Sequence, residues 1–159
     1  MTWFDIVAIL VLVVIAWLES LRGFGRSLFD LLGAILTLKL APIVSDWLAA
    51  SYPVIAKGGP SQAFWLGATV LVMGVVIILV TRLIYQSTLL SLDYLDPVAG
   101  GLLGIFSGLI VVFFFLRVLQ LDWAGTAQAK VLMDSFVGQE LLNLRSYHNV
   151  VEALQNLGK

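Results

Sequence analysis

Residues 98–116 read VAGGLLGIFSGLIVVFFFL, a stretch without a single charge in which Gly100, Gly104 and Gly108 fall at every fourth position. A helix of this length is about 28 Å long, close to the ~30 Å hydrocarbon thickness of a bilayer. The spacing of four places the three glycines on one helical face, as two overlapping GxxxG units. In lipid there is no hydrophobic drive between helices, so close backbone approach over small residues supplies van der Waals packing instead. Two partners suit this face: a helix of another chain, or the preceding apolar helix of the same chain.

Outward from this stretch, Asp96-Pro97 precedes it and Arg117 closes it. Proline fits the first turn of a helix, where its missing N–H is not needed. Upstream, residues 62–81 are again free of charge, with Gly58-Gly59-Pro60 as the breaker before them, Ser61 as a candidate N-cap and Arg82 at the far end. Two weaker segments lie nearer the N-terminus. One is an apolar run from Ile6 to Leu18 that reaches a membrane-spanning length when extended to residues 3–21. The other covers residues 27–47, carries Asp30 and Lys39, and has Pro42 to kink it. The turn Leu21-Arg22-Gly23-Phe24-Gly25-Arg26 joins these two as an antiparallel hairpin.

Composition agrees. The chain has 60% apolar and 12% charged residues, against roughly 25% charged in soluble domains. Net charge is −1, with no large basic block, which argues against a nucleic-acid partner. The absence of cysteine and the presence of one histidine exclude thiol chemistry and the usual Cys/His zinc site. The start Met1-Thr2-Trp3-Phe4-Asp5 is acidic where a secretory signal is basic, so the first segment reads as an uncleaved membrane helix.

The expectation is an all-α integral membrane protein with the lipid bilayer as its first partner. A four-helix membrane domain occupies residues 1–120, with helices at about 3–21, 27–47, 62–82 and 97–117, and a helical tail occupies 121–159. Trp123 suits an interfacial anchor, and Leu141, Leu144, Tyr147, Val151 and Leu154 recur at helical spacing in the tail. That amphipathic stretch lies on the membrane, pairs with a partner or packs on its own bundle. The connection 83–95 is predicted to continue helix three and then lie in the interface. Arg22, Arg26 and Arg82 place the first and third connections inside and both termini outside by the positive-inside rule.

Lys39 is the main functional candidate, because a lysine within a span costs several kcal/mol unless paired, hydrated or able to snorkel. Asp5 lies seventeen residues before Arg22, and Lys39 thirteen residues after Arg26. In a hairpin both sit roughly 20–25 Å from the turn. Two readings follow: an Asp5–Lys39 pair, or a helix ending before Pro42 with Lys39 snorkelling. Glu19 with Arg22 and Arg26 with Asp30 stand at helical pair spacing, where the arginines orient the hairpin or bind lipid headgroups. Asp93 and Asp96 read as an ion site or as caps of the last helix, the cap being favoured. Gly67 and Gly74 read as packing contacts. His148 has no acidic or metal-binding partner at useful spacing. No nucleophile–base pair, phosphate loop or metal cluster is visible, so no catalytic residue, cofactor or metal is expected.

Two blocks carry a resemblance. The first is Asp5-Ile6, a short apolar run, Arg22-Gly23-Phe24 with Arg26, and then Gly33. The second is Leu95-Asp96-Pro97-Val98-Ala99-Gly100 followed by Leu103-Gly104 and Gly108. In order and spacing they resemble the colicin V production protein family (CvpA-like membrane proteins) over roughly residues 3 to 120. Pro97 and Ser107 stand where that family often has basic residues, so roles of those charges do not carry over. The resemblance implies a bacterial inner-membrane protein with four helices and no known catalytic residues. Relatives fused to extracytoplasmic protease domains put the C-terminus outside. The implied role is a link to toxin production or export and to envelope function. Our own expectation is that the chain acts through contacts with itself or another inner-membrane protein, with the Gly100–Gly104–Gly108 face as a docking surface. The alternative is a small homo-oligomeric channel lined by Lys39, the Pro42 kink and Asp5.

Overall fold

A computed structural model describes residues 2–54, 59–85 and 95–143. The order is α1 (Trp3–Arg22), α2 (Phe24–Ser51), α3 (Gly59–Tyr85), α4 (Asp96–Asp122), α5 (Ala127–Asp134) and α6 (Phe136–Asn143). The described residues form no strand, and α1 to α4 are each long and apolar enough to cross a membrane. The protein is an all-α, multi-pass membrane protein. Exposed Ile, Leu, Val and Trp side chains cover the outer faces of these helices, where hydrocarbon replaces water.

The spans are longer than their apolar runs. α2 runs on to Ser51 and α4 to Asp122, beyond the expected ends near 47 and 117, and α3 begins at Gly59. Backbone hydrogen bonding carries a helix past the last apolar residue into the interface, where charges are tolerated. Ser61 is therefore not an N-cap but a buried residue of the first turn of α3. The turn expected at 21–26 shrinks to Gly23 alone. Its φ of +82° suits glycine, its N–H donates to the Glu19 carbonyl at 3.0 Å, and its own carbonyl accepts the Ser27 N–H at 3.2 Å. Pro42 does not end α2. It removes only the N–H that would have bonded the Leu38 carbonyl.

Helix α4 is the centre of the bundle and touches α1, α2 and α3, whereas α1 and α2 meet little. Instead of a closed hairpin, α1 lies along α4 and α2 along α3. The glycine face of α4 meets α1, so neither a second chain nor α3 is its partner. A Cβ on Gly100 would sit 2.7 Å from the Glu19 carbonyl oxygen, and one on Gly104 would sit 2.8 Å from the Ala16 Cα. At Gly108 the nearest atom, the Leu12 Cα, is 3.5 Å away. The close approach between α2 and α3 is at Gly33, where a Cβ would lie 2.5 Å from the Ile77 Cγ2. Gly67 and Gly74 are not close contacts: a Cβ on Gly67 would find Val118 only at 4.0 Å, and one on Gly74 nothing within 4 Å.

The described part of the tail folds back on the bundle. Leu132 of α5 is fully buried in a cluster with Phe4, Ala8, Val112 and Leu116, and Val137, Leu141 and Leu142 pack against it. Trp123 stacks edge-on against Phe4 with ring centroids 5.8 Å apart. Leu144, Tyr147, His148, Val151 and Leu154 lie outside the described residues, as do Asp93 and the connection 86–94.

Candidate functional site

The polar chemistry gathers where α1 turns into α2. Glu19 and Arg22 are one turn apart on α1, and Gly23 reverses the chain so that Ser27 and Asp30 return beside them. The Arg22 Nη1 lies 3.0 Å from the Glu19 Oε1 and 3.0 Å from the Asp30 Oδ2, serving two carboxylates at once. Glu19 is buried, and the Ser27 hydroxyl donates to its Oε2 at 2.8 Å. A buried carboxylate is tolerated because it has a cation and a donor.

The start of α4 completes this end. The Asp96 Oδ1 accepts the Phe24 N–H at 2.9 Å, satisfying a donor that the first turn of α2 leaves open. Asp96 thus acts as a cap, but of α2 rather than of its own helix, whose N-cap position is held by Leu95. A Cβ on Gly23 would collide with the Asp96 carboxylate. Arg22-Gly23-Phe24 and Leu95-Asp96, far apart in the chain, are halves of one junction.

Arg22, Arg26 and Asp30 meet Ile78, Thr81 and Arg82 of α3 around a cleft of about 360 Å³. The Asp30 Oδ1 is buried without a hydrogen-bond partner. A second cavity of about 260 Å³ shares Arg22, Asp30 and Ile78 with the cleft and runs between the helices past Gly74, Ile77, Ser107, Ile110 and Phe114. Its wall is apolar except at the charged mouth, at Thr37 and at Ser107, whose buried hydroxyl also has no partner. Sequence spacing does not place Arg82 beside Arg22 and Arg26, because that neighbourhood is made by the α2–α3 packing at Gly33.

The other expected residues do not converge. Asp5 is buried and accepts the Thr2 N–H at 2.7 Å and the Val137 N–H at 3.0 Å. Its carboxylate is committed to the start of α1 and to α6. Lys39 is exposed on α2 and forms no ion pair with it. The Asp5–Lys39 pair is absent because α1 and α2 diverge toward different partners. Pro42 instead borders a cavity of about 440 Å³ with Ser45, Asp46, Gln62 and Arg117. Among the described residues no group of three His, Asp or Glu side chains is placed to hold a metal.

No family model matches the chain, and neither a curated protein nor a solved structure matches it.

Proposed function

We propose that the chain is a non-enzymatic protein of the bacterial inner membrane with both termini on the extracytoplasmic side. It serves toxin production and secretion of the colicin V kind, or envelope homeostasis, by contacting another inner-membrane protein. The resemblance to CvpA-like proteins supports this reading, since its two motif blocks meet at the Asp96–Phe24 junction. The orientation is supported by Arg22, Arg26 and Arg82 sharing one end of the bundle.

Lys39 is the observation that carries the contact. It lies about 22 Å along α2 from Phe24, within a span and exposed on the outside of the bundle. Helical side chains tilt toward the N-terminus. Lys39 therefore leans toward the Gly23 end, away from the nearer end of α2 at Ser51. A carboxylate on a neighbouring membrane helix offsets the cost of holding the ammonium there, and the exposed Ile35, Leu36 and Ile43 give that helix an apolar bed. A photoreactive residue at Ile43, activated in cells, tests this. A defined foreign membrane protein should be captured, several-fold less in Lys39→Met. Lipid adducts alone would overturn the contact, and self-adducts alone would overturn the foreign partner.

A further inference from the structure

The cavity of about 440 Å³ lies at the opposite end of the bundle from the Gly23 junction and is bounded by α2, α3, α4 and α6. Its wall carries one acid and one base that do not pair with each other. We infer that it binds a free α-amino acid with an apolar side chain, the ammonium held by Asp46 and the carboxylate by Arg117. The inference is independent of the contact at Lys39.

The two charges share a level. Asp46 lies twenty-two residues after Phe24 and Arg117 twenty-one after Asp96, and those two starting points are tied by the Asp96–Phe24 hydrogen bond. Each charge is therefore about 32 Å along its helix from the junction, at the edge of a hydrocarbon layer ~30 Å thick, where a water-soluble zwitterion arrives. Both side chains are exposed. The Asp46 carboxylate has no hydrogen bond or ion pair among the described residues. Arg117 gives an N–H to the neutral Gln120 Oε1 at 2.7 Å, which leaves its charge uncompensated and the rest of its five N–H donors for a carboxylate. Arg117 repels a simple cation and Asp46 a simple anion, so a ligand carrying both charges fits best. One turn deeper the wall turns apolar: Phe113 and Phe114 lie below Arg117, and Leu66 lies below Gln62. Leu66 and Phe114 are buried, and Leu142 of α6 completes this wall. Such a floor receives an apolar side chain, and the volume falls within the ~300–1,000 Å³ of small-molecule sites.

The test uses the full chain in phosphatidylcholine nanodiscs and measures saturation binding of tritiated leucine, with glycine, isocaproate and isoamylamine as competitors. Leucine should bind saturably. Isocaproate, which lacks the ammonium, and isoamylamine, which lacks the carboxylate, should each compete about tenfold less well than leucine, the effect of one charge-assisted hydrogen bond. Asp46→Asn should weaken leucine by about the same factor and leave isocaproate unchanged. Arg117→Gln should weaken leucine and leave isoamylamine unchanged, both variants keeping the melting temperature of the unaltered protein. Absence of saturable leucine binding to the folded, unaltered protein would overturn the site. Isocaproate competing as well as leucine would overturn the ammonium assignment, and glycine competing as well would overturn the apolar floor. Loss of leucine binding when phosphatidylethanolamine replaces phosphatidylcholine would overturn the amino acid in favour of a lipid headgroup.

Discussion

The Asp96 carboxylate accepts the Phe24 N–H at 2.9 Å, so the first turn of α4 caps the first turn of α2. A residue at the start of one span thereby fixes where another span begins, and Gly23 is the point at which both close. Asp96→Ala should lower stability by about 1 kcal/mol, as loss of a helix cap does, with Asp96→Asn retaining most of it. Thermal unfolding in detergent checks the order.

Gly23→Ala should be worse than the cap loss, because it adds strain at φ +82° to a collision with the Asp96 carboxylate. The double substitution Gly23→Ala/Asp96→Ala should relieve the collision but not the backbone strain. Its melting temperature should exceed the value expected from adding the two single losses.

Gly104→Ala should destabilise the monomer by about 1–3 kcal/mol, the usual range for overpacking, since its Cβ would meet the Ala16 backbone at 2.8 Å. Gly101→Ala, with its nearest atom at 3.5 Å, should be tolerated. Unfolding of the two variants under one set of conditions distinguishes them. Equal melting temperatures would show that the face does not pack on α1.

Arg22→Met should be more destabilising than Arg22→Met combined with Glu19→Gln. The single change leaves the buried Glu19 carboxylate without its cation, and the second removes that charge while keeping an acceptor for Ser27. Unfolding of the pair, with Glu19→Gln as the third corner, gives the sign of the coupling.

Asp5→Ala should release α6, because Asp5 holds the Val137 N–H at 3.0 Å. Limited proteolysis should cut after Gly125 sooner than in the unaltered protein, with the four spans still intact. Unchanged cutting would place the anchoring of α6 in the Leu132 cluster alone.

Four membrane-crossing helices are legible in the chain because apolar length is a local property, set by the bilayer and readable from runs such as 62–81 and 98–116. The glycine spacing is legible as a packing face for the same reason. Its partner is not, since any helix with small or yielding residues satisfies a GxxxG face, and only the assembled bundle selects Ala16 and Glu19 of α1. Charge pairing is hidden for a related reason. Asp5 and Lys39 share a depth along an ideal hairpin, but depth says nothing of direction, and α1 and α2 lean on different neighbours. Local composition and spacing thus dictate that the chain crosses a membrane and which helix faces are small. Packing of the helices brings Arg82 to Arg22 and Arg26, and seats Asp96 on the start of α2, because those contacts join residues that no local spacing relates.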